Sequence, residues 1–232
     1  MGLARGPQGR LTSGMADARG SVDDERHRLE ERGLDRDDLD PDPLAVLRRW
    51  FDHAVRVGVH QPEAMTLATA TSSGEPAVRF VLCKGYDDRG IVFYTNERSR
   101  KGREIRANPS AAALFPWHQV SRQVRITGNV ERVAEEDADA YFATRPRGSQ
   151  IGAWASPQSQ VLVDRADLES RWADEERRWR GRDVSRPEHW GGFRIVPDEW
   201  EFWQGRANRL HDRFRYTRSV PLDPWRIDRL AP

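Results

Sequence analysis

Cys83 is the only cysteine in the 232 residues, which excludes an internal disulfide framework, a C-x-x-C redox pair and a cysteine-rich zinc site. Lysine is almost as scarce. Lys84 and Lys101 stand against 36 arginines, so the compact ammonium group is used at just two places in an arginine-biased chain. No apolar run approaches the roughly 20 residues that a membrane-spanning helix needs, and Met1 to Gly20 lack the apolar centre of a secretory signal. A cytoplasmic protein without a membrane partner is expected. An excess of one charge is missing too: 38 Lys+Arg against 37 Asp+Glu leave a net charge of +1, and no global field recruits nucleic acid. There is no G-x-G-x-x-G, and Gly85 to Gly90 has P-loop-like glycine spacing but continues Ile91-Val92 instead of Lys-Ser/Thr. With no H-E-x-x-H and six scattered histidines, no metal is expected.

Hydrophobic residues at 37% suffice for one core, and the length suits one domain with appendages. Residues 1–22 are rich in Gly, Arg, Ser and Ala without periodicity and read as a disordered tail. Residues 23–42 are acidic and partly ordered, with a short helix around Glu25 to Arg32. From Pro43 the positions Leu44, Leu47, Phe51, Ala54 and Val55 predict an amphipathic helix ending near Gly58. Short β-rich runs follow: Met65 to Thr71 and Ala77 to Lys84 flank the hairpin signal Ser72 to Pro76, and Gly85 to Gly90 turns into Ile91 to Thr95. Ser99 to Ala107 is a polar helix stopped at Asn108-Pro109. Ala111 to Trp117 and Gln123 to Val133 are further strands. Glu135 to Thr144, Ser149 to Ala155 and Arg165 to Arg180 are helical, the last with an apolar stripe of Leu168, Trp172 and Trp179. Phe193 to Val196, Trp200 to Gln204, Arg213 to Thr217 and Trp225 to Leu230 close the β-rich part. Many short strands with helices as insertions predict a mainly β fold, an antiparallel barrel with flanking helices.

Four clusters carry candidate chemistry. In Arg79-Phe80-Val81-Leu82-Cys83-Lys84 the period of two puts Arg79 and Lys84 on opposite strand faces, so they share a pocket only near a bend; anion binding and two solvated charges are equally compatible with it. After Tyr94-Thr95, either Asn96 or Ser99 can cap a helix whose first residues, Arg100 and Lys101, are basic. Helix N-termini normally select acidic residues, so this one favours a phosphate monoester over an ordinary cap. Tyr141, Arg145 and Ser149 are spaced by four and form a second phosphate grip or a solvated helix end, with Pro146 breaking the row. Trp203 lies near Arg209-Leu210-His211-Asp212-Arg213; period two would put Arg209, His211 and Arg213 on one strand face, where aromatics and cationic donors suit a flat ring. Two phosphate grips and a ring platform point to two phosphorylated aromatic molecules.

Arg79-Phe-Val-Leu-Cys-Lys84, Phe93-Tyr-Thr-Asn96, Ser99-Arg-Lys101, Phe115-Pro-Trp-His118, Arg122-Gln-Val124, Arg145 to Trp154, Phe202-Trp-Gln-Gly205, Arg209-Leu-His-Asp-Arg213 and Ile227 to Pro232 together resemble the pyridoxamine 5′-phosphate oxidase family, in order, from about Pro43 to Pro232. The resemblance implies an FMN-binding split barrel over 43–232, acting as a homodimer with flavin at the subunit interface. It implies FMN contacts from Arg79, Phe80, Val81, Leu82, Cys83, Lys84, Tyr94, Thr95, Arg100, Lys101, Gln123, Gln158, Ser159, Trp203 and Arg213. The substrate phosphate would be held by Lys84, Tyr141, Arg145 and Ser149. Arg209, Leu210 and His211 would lie beside the pyridine ring, with Arg209 and His211 as the catalytic pair. The implied reaction oxidises pyridoxamine 5′-phosphate or pyridoxine 5′-phosphate to pyridoxal 5′-phosphate with O₂ as acceptor. A related flavin oxidase acting on another aromatic and a non-catalytic vitamer-binding protein are the alternatives. One departure is visible: the family pairs an N-terminal Arg with a Tyr three residues on, and here Arg26 is followed by Leu29.

Overall fold

The computed structural model describes residues 14–220 and 223–232. Helix α1 (Gly14–Arg32) leads through Gly33 and a 3₁₀ turn at Arg36–Asp38 into α2 (Pro43–Arg56). Helix α2 forms where the spacing predicts it. The Asp42 carboxylate accepts from the Leu44 N–H at 2.9 Å, Pro43 occupies the first turn where no N–H is needed, and Leu44, Leu47, Trp50 and Ala54 bury one face. Helix α1 corrects the expectation of a tail reaching residue 22 and a short helix from Glu25; residues 1–13 of that tail lie outside the described residues. Its docking rests on few groups. Leu29 is buried in the core, and Glu25 Oε1 meets His53 Nε2 of α2 at 2.8 Å. Gly33, at φ +74°, makes the turn out of α1, and a Cβ there would stand 1.9 Å from Arg206 Nη1.

Strands β1 (Ala64–Ala70), β2 (Pro76–Asp87), β3 (Gly90–Asn96), β4 (Ser110–Phe115), β5 (Arg122–Arg132) and β6 (Trp190–Gln204) pair antiparallel in the order β3-β2-β1-β4-β5-β6, and β3 also pairs with β6. That extra pairing closes a six-stranded barrel. Alternate residues point inward, so Met65, Leu67, Phe93, Phe115, Val124, Ile126, Ile195 and Phe202 fill the interior. Strands β7 (Asp212–Thr217) and β8 (Arg226–Leu230) extend the sheet beyond β6. Helix α3 (Arg100–Ala107) follows β3; α4 (Glu135–Thr144), α5 (Arg147–Ala155) and α6 (Arg165–Arg178) lie between β5 and β6 in sequence.

Three expectations change. The runs Phe193 to Val196 and Trp200 to Gln204 are one 15-residue strand, because a register shift opposite Thr127 and Gly128 takes up Pro197-Asp198 as a bulge. Strand β2 runs on to Asp87, which shortens the expected Gly85 to Gly90 turn. Helix α6 buries no residue, so its apolar stripe is not a core stripe; Trp179 lies just past its end, 5.5 Å from the Trp154 ring.

Candidate active site

A cavity of about 1030 Å³ opens between β2, β3, the start of α3 and the α4–α5 junction. On one side Ser99 caps α3, its Oγ accepting from the Gly102 N–H at 3.3 Å. The cap fixes Lys101 in the first turn, where it is 8% exposed. Its Nζ donates to three neutral oxygens, Thr95 Oγ1 at 3.2 Å, Gln158 Oε1 at 3.3 Å and Ser99 Oγ at 3.4 Å. Among the described residues no carboxylate lies within 4 Å of it. Burial, with Arg79 nearby and Glu104 opposing, pulls the Lys101 ammonium down to about 8. Arg79 and Arg100 are held beside it by Glu104, a buried carboxylate that accepts from Arg100 Nε at 2.7 Å, Arg79 Nη2 at 3.1 Å and Thr69 Oγ1 at 2.5 Å. The result is a fixed basic wall at a helix N-terminus, the arrangement that binds a phosphate monoester.

The second wall is aromatic and cationic. Tyr94 stacks on Tyr141 with ring centres 4.1 Å apart and on Trp190 at 5.4 Å. Arg145 ends α4, because Pro146 starts the next helix, and its guanidinium lies over Trp190 at 4.6 Å. The buried Arg145 Nη1 has no hydrogen-bond partner among the described residues, and burial lowers its pKa. Burial likewise raises the pKa of the Tyr94 and Tyr141 phenols. Ser149 lies in the first turn of α5 and lines the cavity with Arg145 and Tyr141. The break at Pro146 therefore keeps the three spaced residues together. Lys84 joins them from β2, where the register shift between Cys83 and Gly85 provides the bend that lets Arg79 and Lys84 line one cavity.

Phe80, Val81, Leu82, Gln158 and Ser159 also line this space. Cys83 does not. Its side chain points into the barrel core, where burial pushes the thiol up to about 11. Gln123, Trp203 and Arg213 lie outside the cavity as one cross-strand row on β5, β6 and β7. Arg209, Leu210 and His211 follow that row and do not form the expected strand face. Asn208 and Arg209 have φ of +57° and +61°, so the chain turns there and β7 begins only at Asp212. His211 packs on Trp203 at 4.6 Å, and its Nδ1 accepts from the Arg206 N–H at 3.1 Å. Arg26 is paired with Asp23 on α1, and Leu29 is a core residue.

Sequence reasoning missed Glu104 and Trp190. Glu104 was legible as the i+4 partner of Arg100 on a short helix; Trp190 had no local signal, since β6 was expected to begin three residues later.

Residues 51–176 match the family profile described as pyridoxamine 5′-phosphate oxidase, and residues 190–232 match the one described as pyridoxine 5′-phosphate oxidase C-terminal dimerisation region. The chain is 55% identical over 207 residues to the pyridoxine/pyridoxamine 5′-phosphate oxidase of Rubrobacter xylanophilus, covering 89% of this chain and 94% of that protein. It is 52% identical over 200 residues to the enzyme of that name from Salinibacter ruber, covering 86% and 93%. Among solved structures, PhzG from Burkholderia lata, in complex with tetrahydrophenazine-1-carboxylic acid, superposes with a TM-score of 0.80 at 35% identity, covering 86% of this chain and 98% of that one. An FMN-binding, pyridoxamine 5′-phosphate oxidase-related protein from Nostoc punctiforme shares the fold, with a TM-score of 0.65 at 17% identity over 84% and 100% of the two chains. With a closed split barrel, a basic cavity and matches over nearly all of the folded chain, this protein belongs to the pyridoxamine 5′-phosphate oxidase family.

Proposed function

We propose that the chain, as a homodimer, oxidises pyridoxamine 5′-phosphate and pyridoxine 5′-phosphate to pyridoxal 5′-phosphate, with FMN as cofactor and O₂ as acceptor. One observation carries this reading: the buried Lys101 and the half-buried Arg145, whose Nη1 is buried, line a single cavity with no carboxylate within 4 Å among the described residues. Each is the kind of group that a phosphate completes, and cofactor and substrate each bring one.

The Lys101 wall fits the FMN phosphate, since its ammonium meets only neutral oxygens and Arg79 and Arg100 are already oriented by Glu104. Thr95, Gln158 and Ser159 would add hydrogen-bonding groups, and Gln123, Trp203 and Arg213 would come from the second copy. When bound, FMN supplies the two-electron acceptor for the carbon being oxidised. The protein's own residues then bind and orient. Arg145, Lys84, Tyr141 and Ser149 hold the substrate phosphate away from the reacting carbon, so binding energy is used for positioning. His211 accepts at Nδ1 from the Arg206 N–H; its neutral ring therefore carries the proton on Nε2 and offers a donor to the substrate. Arg209 and Leu210 flank the same place. The balance is two hydrogens from substrate to O₂, giving hydrogen peroxide, with ammonia released by hydrolysis when the substrate is the amine.

Oxygen uptake with pyridoxine 5′-phosphate tests the reading on protein purified with its flavin. The protein should be yellow, release FMN on denaturation, scatter light as a dimer, and gain thermal stability from FMN by mass action. Release of FAD, a fully active monomer, or faster oxidation of a phosphate-free tricyclic acid than of pyridoxine 5′-phosphate would overturn it.

A further inference from the structure

Arg145 differs from the other arginines of the cavity in what aims it. Arg79 and Arg100 are oriented through their N–H groups: Arg79 donates from Nη2 to Glu104 and from Nη1 to Thr69, and Arg100 donates from Nε to Glu104. An acid that orients a guanidinium in this way occupies donors that a phosphate could use. Arg145 has no carboxylate within 4 Å among the described residues, and its buried Nη1 meets no acceptor there. What it meets is a ring. Its Cζ lies 4.6 Å from the centre of Trp190 and 5.4 Å from that of Phe142. A guanidinium held over an aromatic face is fixed by that face, and its N–H edges stay open.

The ring is itself fixed. Trp190 is 6% exposed, with Phe142 edge-on at 5.0 Å and Tyr94 stacked at 5.4 Å. Gly192 leaves room for the Tyr94 ring, since a Cβ there would stand 2.7 Å from Tyr94 Cε1. The Trp190 N–H donates to the Pro187 carbonyl at 2.9 Å, and its own carbonyl accepts from Arg186 Nη1 at 2.6 Å. The same Arg186 donates from Nε to Asp139 Oδ1 at 2.7 Å and pairs with Glu135. Both acids lie on α4, the helix that ends at Arg145. One arginine thus staples the start of β6 to the helix whose last guanidinium rests on Trp190.

We propose that Trp190 is a positioning residue, whose face holds Arg145 so that the open N–H edges meet a substrate's phosphate. The preference for phosphorylated substrates then passes through a ring that never touches the phosphate. This deepens the activity proposed above and rests on it only for the identity of the anion.

Fluorinated tryptophans placed at position 190 by nonsense-codon suppression test this while keeping the shape of the core, because each fluorine weakens the negative face of the ring. On FMN-loaded protein, KM for pyridoxine 5′-phosphate should rise stepwise from one fluorine to three, by roughly fivefold in all, with kcat held within about twofold. In an Arg145→Ala background the same series should leave KM flat, because the contact is already gone. A merely structural ring would move KM equally in both backgrounds. Hydrogen exchange over residues 141–149, with inorganic phosphate added to FMN-loaded protein, repeats the comparison without turnover, and the phosphate Kd should rise along the series. Fluorination that leaves KM and phosphate affinity unchanged, or that raises KM as much in Arg145→Ala, overturns the proposal. A wild-type protein that binds phosphate with this dependence on fluorine, yet does not oxidise pyridoxine 5′-phosphate, overturns the proposed activity and leaves Trp190 in its role.

Discussion

On the outer face of β5 to β8, Arg125 meets Glu199 and Glu201, Arg213 meets Glu201, and Arg215 and Arg226 share Asp228. Around the large cavity, Lys101 is buried and Arg145 half-buried without such a partner among the described residues. The two regions use the same cationic chemistry and differ in what completes it. In a chain with 36 arginines, basic residues by themselves mark nothing; a cation that is both desolvated and uncompensated marks a place kept for a ligand. Glu104 sits on the boundary, a buried carboxylate that pairs Arg79 and Arg100 while leaving Lys101 open.

Removing Glu104 should break the contrast most severely. Glu104→Ala leaves Arg79 without a carboxylate beside Lys101 and Arg100 with only the exposed Glu75, and loss of one partner from a buried charge network costs on the order of 3–5 kcal/mol. Urea unfolding should show it; an unchanged midpoint would mean that the cavity wall does not need the carboxylate. Arg145→Ala removes a cation that no carboxylate compensates, so stability should hold while substrate binding weakens. Losing a hydrogen bond to a charged group costs about 1.5–3 kcal/mol, and KM for pyridoxine 5′-phosphate should rise about tenfold or more. Arg209→Ala, outside the cavity of its own chain, should instead lower kcat with flavin still bound. Equal loss of stability and KM in Arg145→Ala would erase the distinction between the two regions.

The pH dependence of Lys101 sharpens the comparison more gently. Its pKa is lowered on folding to about 8, so the folded state binds fewer protons than the unfolded one above that pH. The cost of burying the ammonium is therefore fully present below about pH 8 and is relieved as pH rises towards the unfolded value. Without ligand, stability should gain from this group over that window. Affinity for FMN should move the other way, falling roughly tenfold between about pH 7 and pH 9 as the ammonium is lost, and Lys101→Met should flatten the FMN titration. The smallest effect belongs to the paired face: Arg226→Ala disrupts an exposed ion pair and should cost below about 1 kcal/mol in thermal unfolding.

Much of this was legible from local chemistry. The Asp42-Pro43 start of α2, the Ser72 to Pro76 hairpin and the basic opening of α3 each follow from a few neighbouring residues, and the structure places them as read. What escaped depended on long-range partners. Phe193 to Val196 and Trp200 to Gln204 read as two strands because the bulge that joins them is defined by the opposing strand. Arg209 and His211 read as one strand face because two positive φ angles leave no mark in an R-x-H-x-R pattern. Helix α1 escaped because scattered contacts dock it, Val22 and Leu29 on the core, Glu25 with His53 and Glu30 with Ser121, without an apolar period.

Strand β6 begins with Trp190 under Tyr94 and Arg145, and thirteen residues later carries Trp203 against His211. At roughly 3.3 Å per step that is up to about 43 Å of paired, unfoldable-back chain. Arg145 and His211 of one polypeptide are thus held at opposite ends of a ruler, and in the proposed dimer each catalytic centre is a composite of two copies of the chain. Two variants impaired at substrate concentrations well below KM, Arg145→Ala and His211→Ala, should then regain turnover when refolded together, because a mixed pair contains one centre with both defects and one with neither. Random pairing makes half the dimers mixed and restores about a quarter of the wild-type centres. A mixture no faster than its two parents, with mixed dimers verified by mass spectrometry, would show that each chain builds its centre alone.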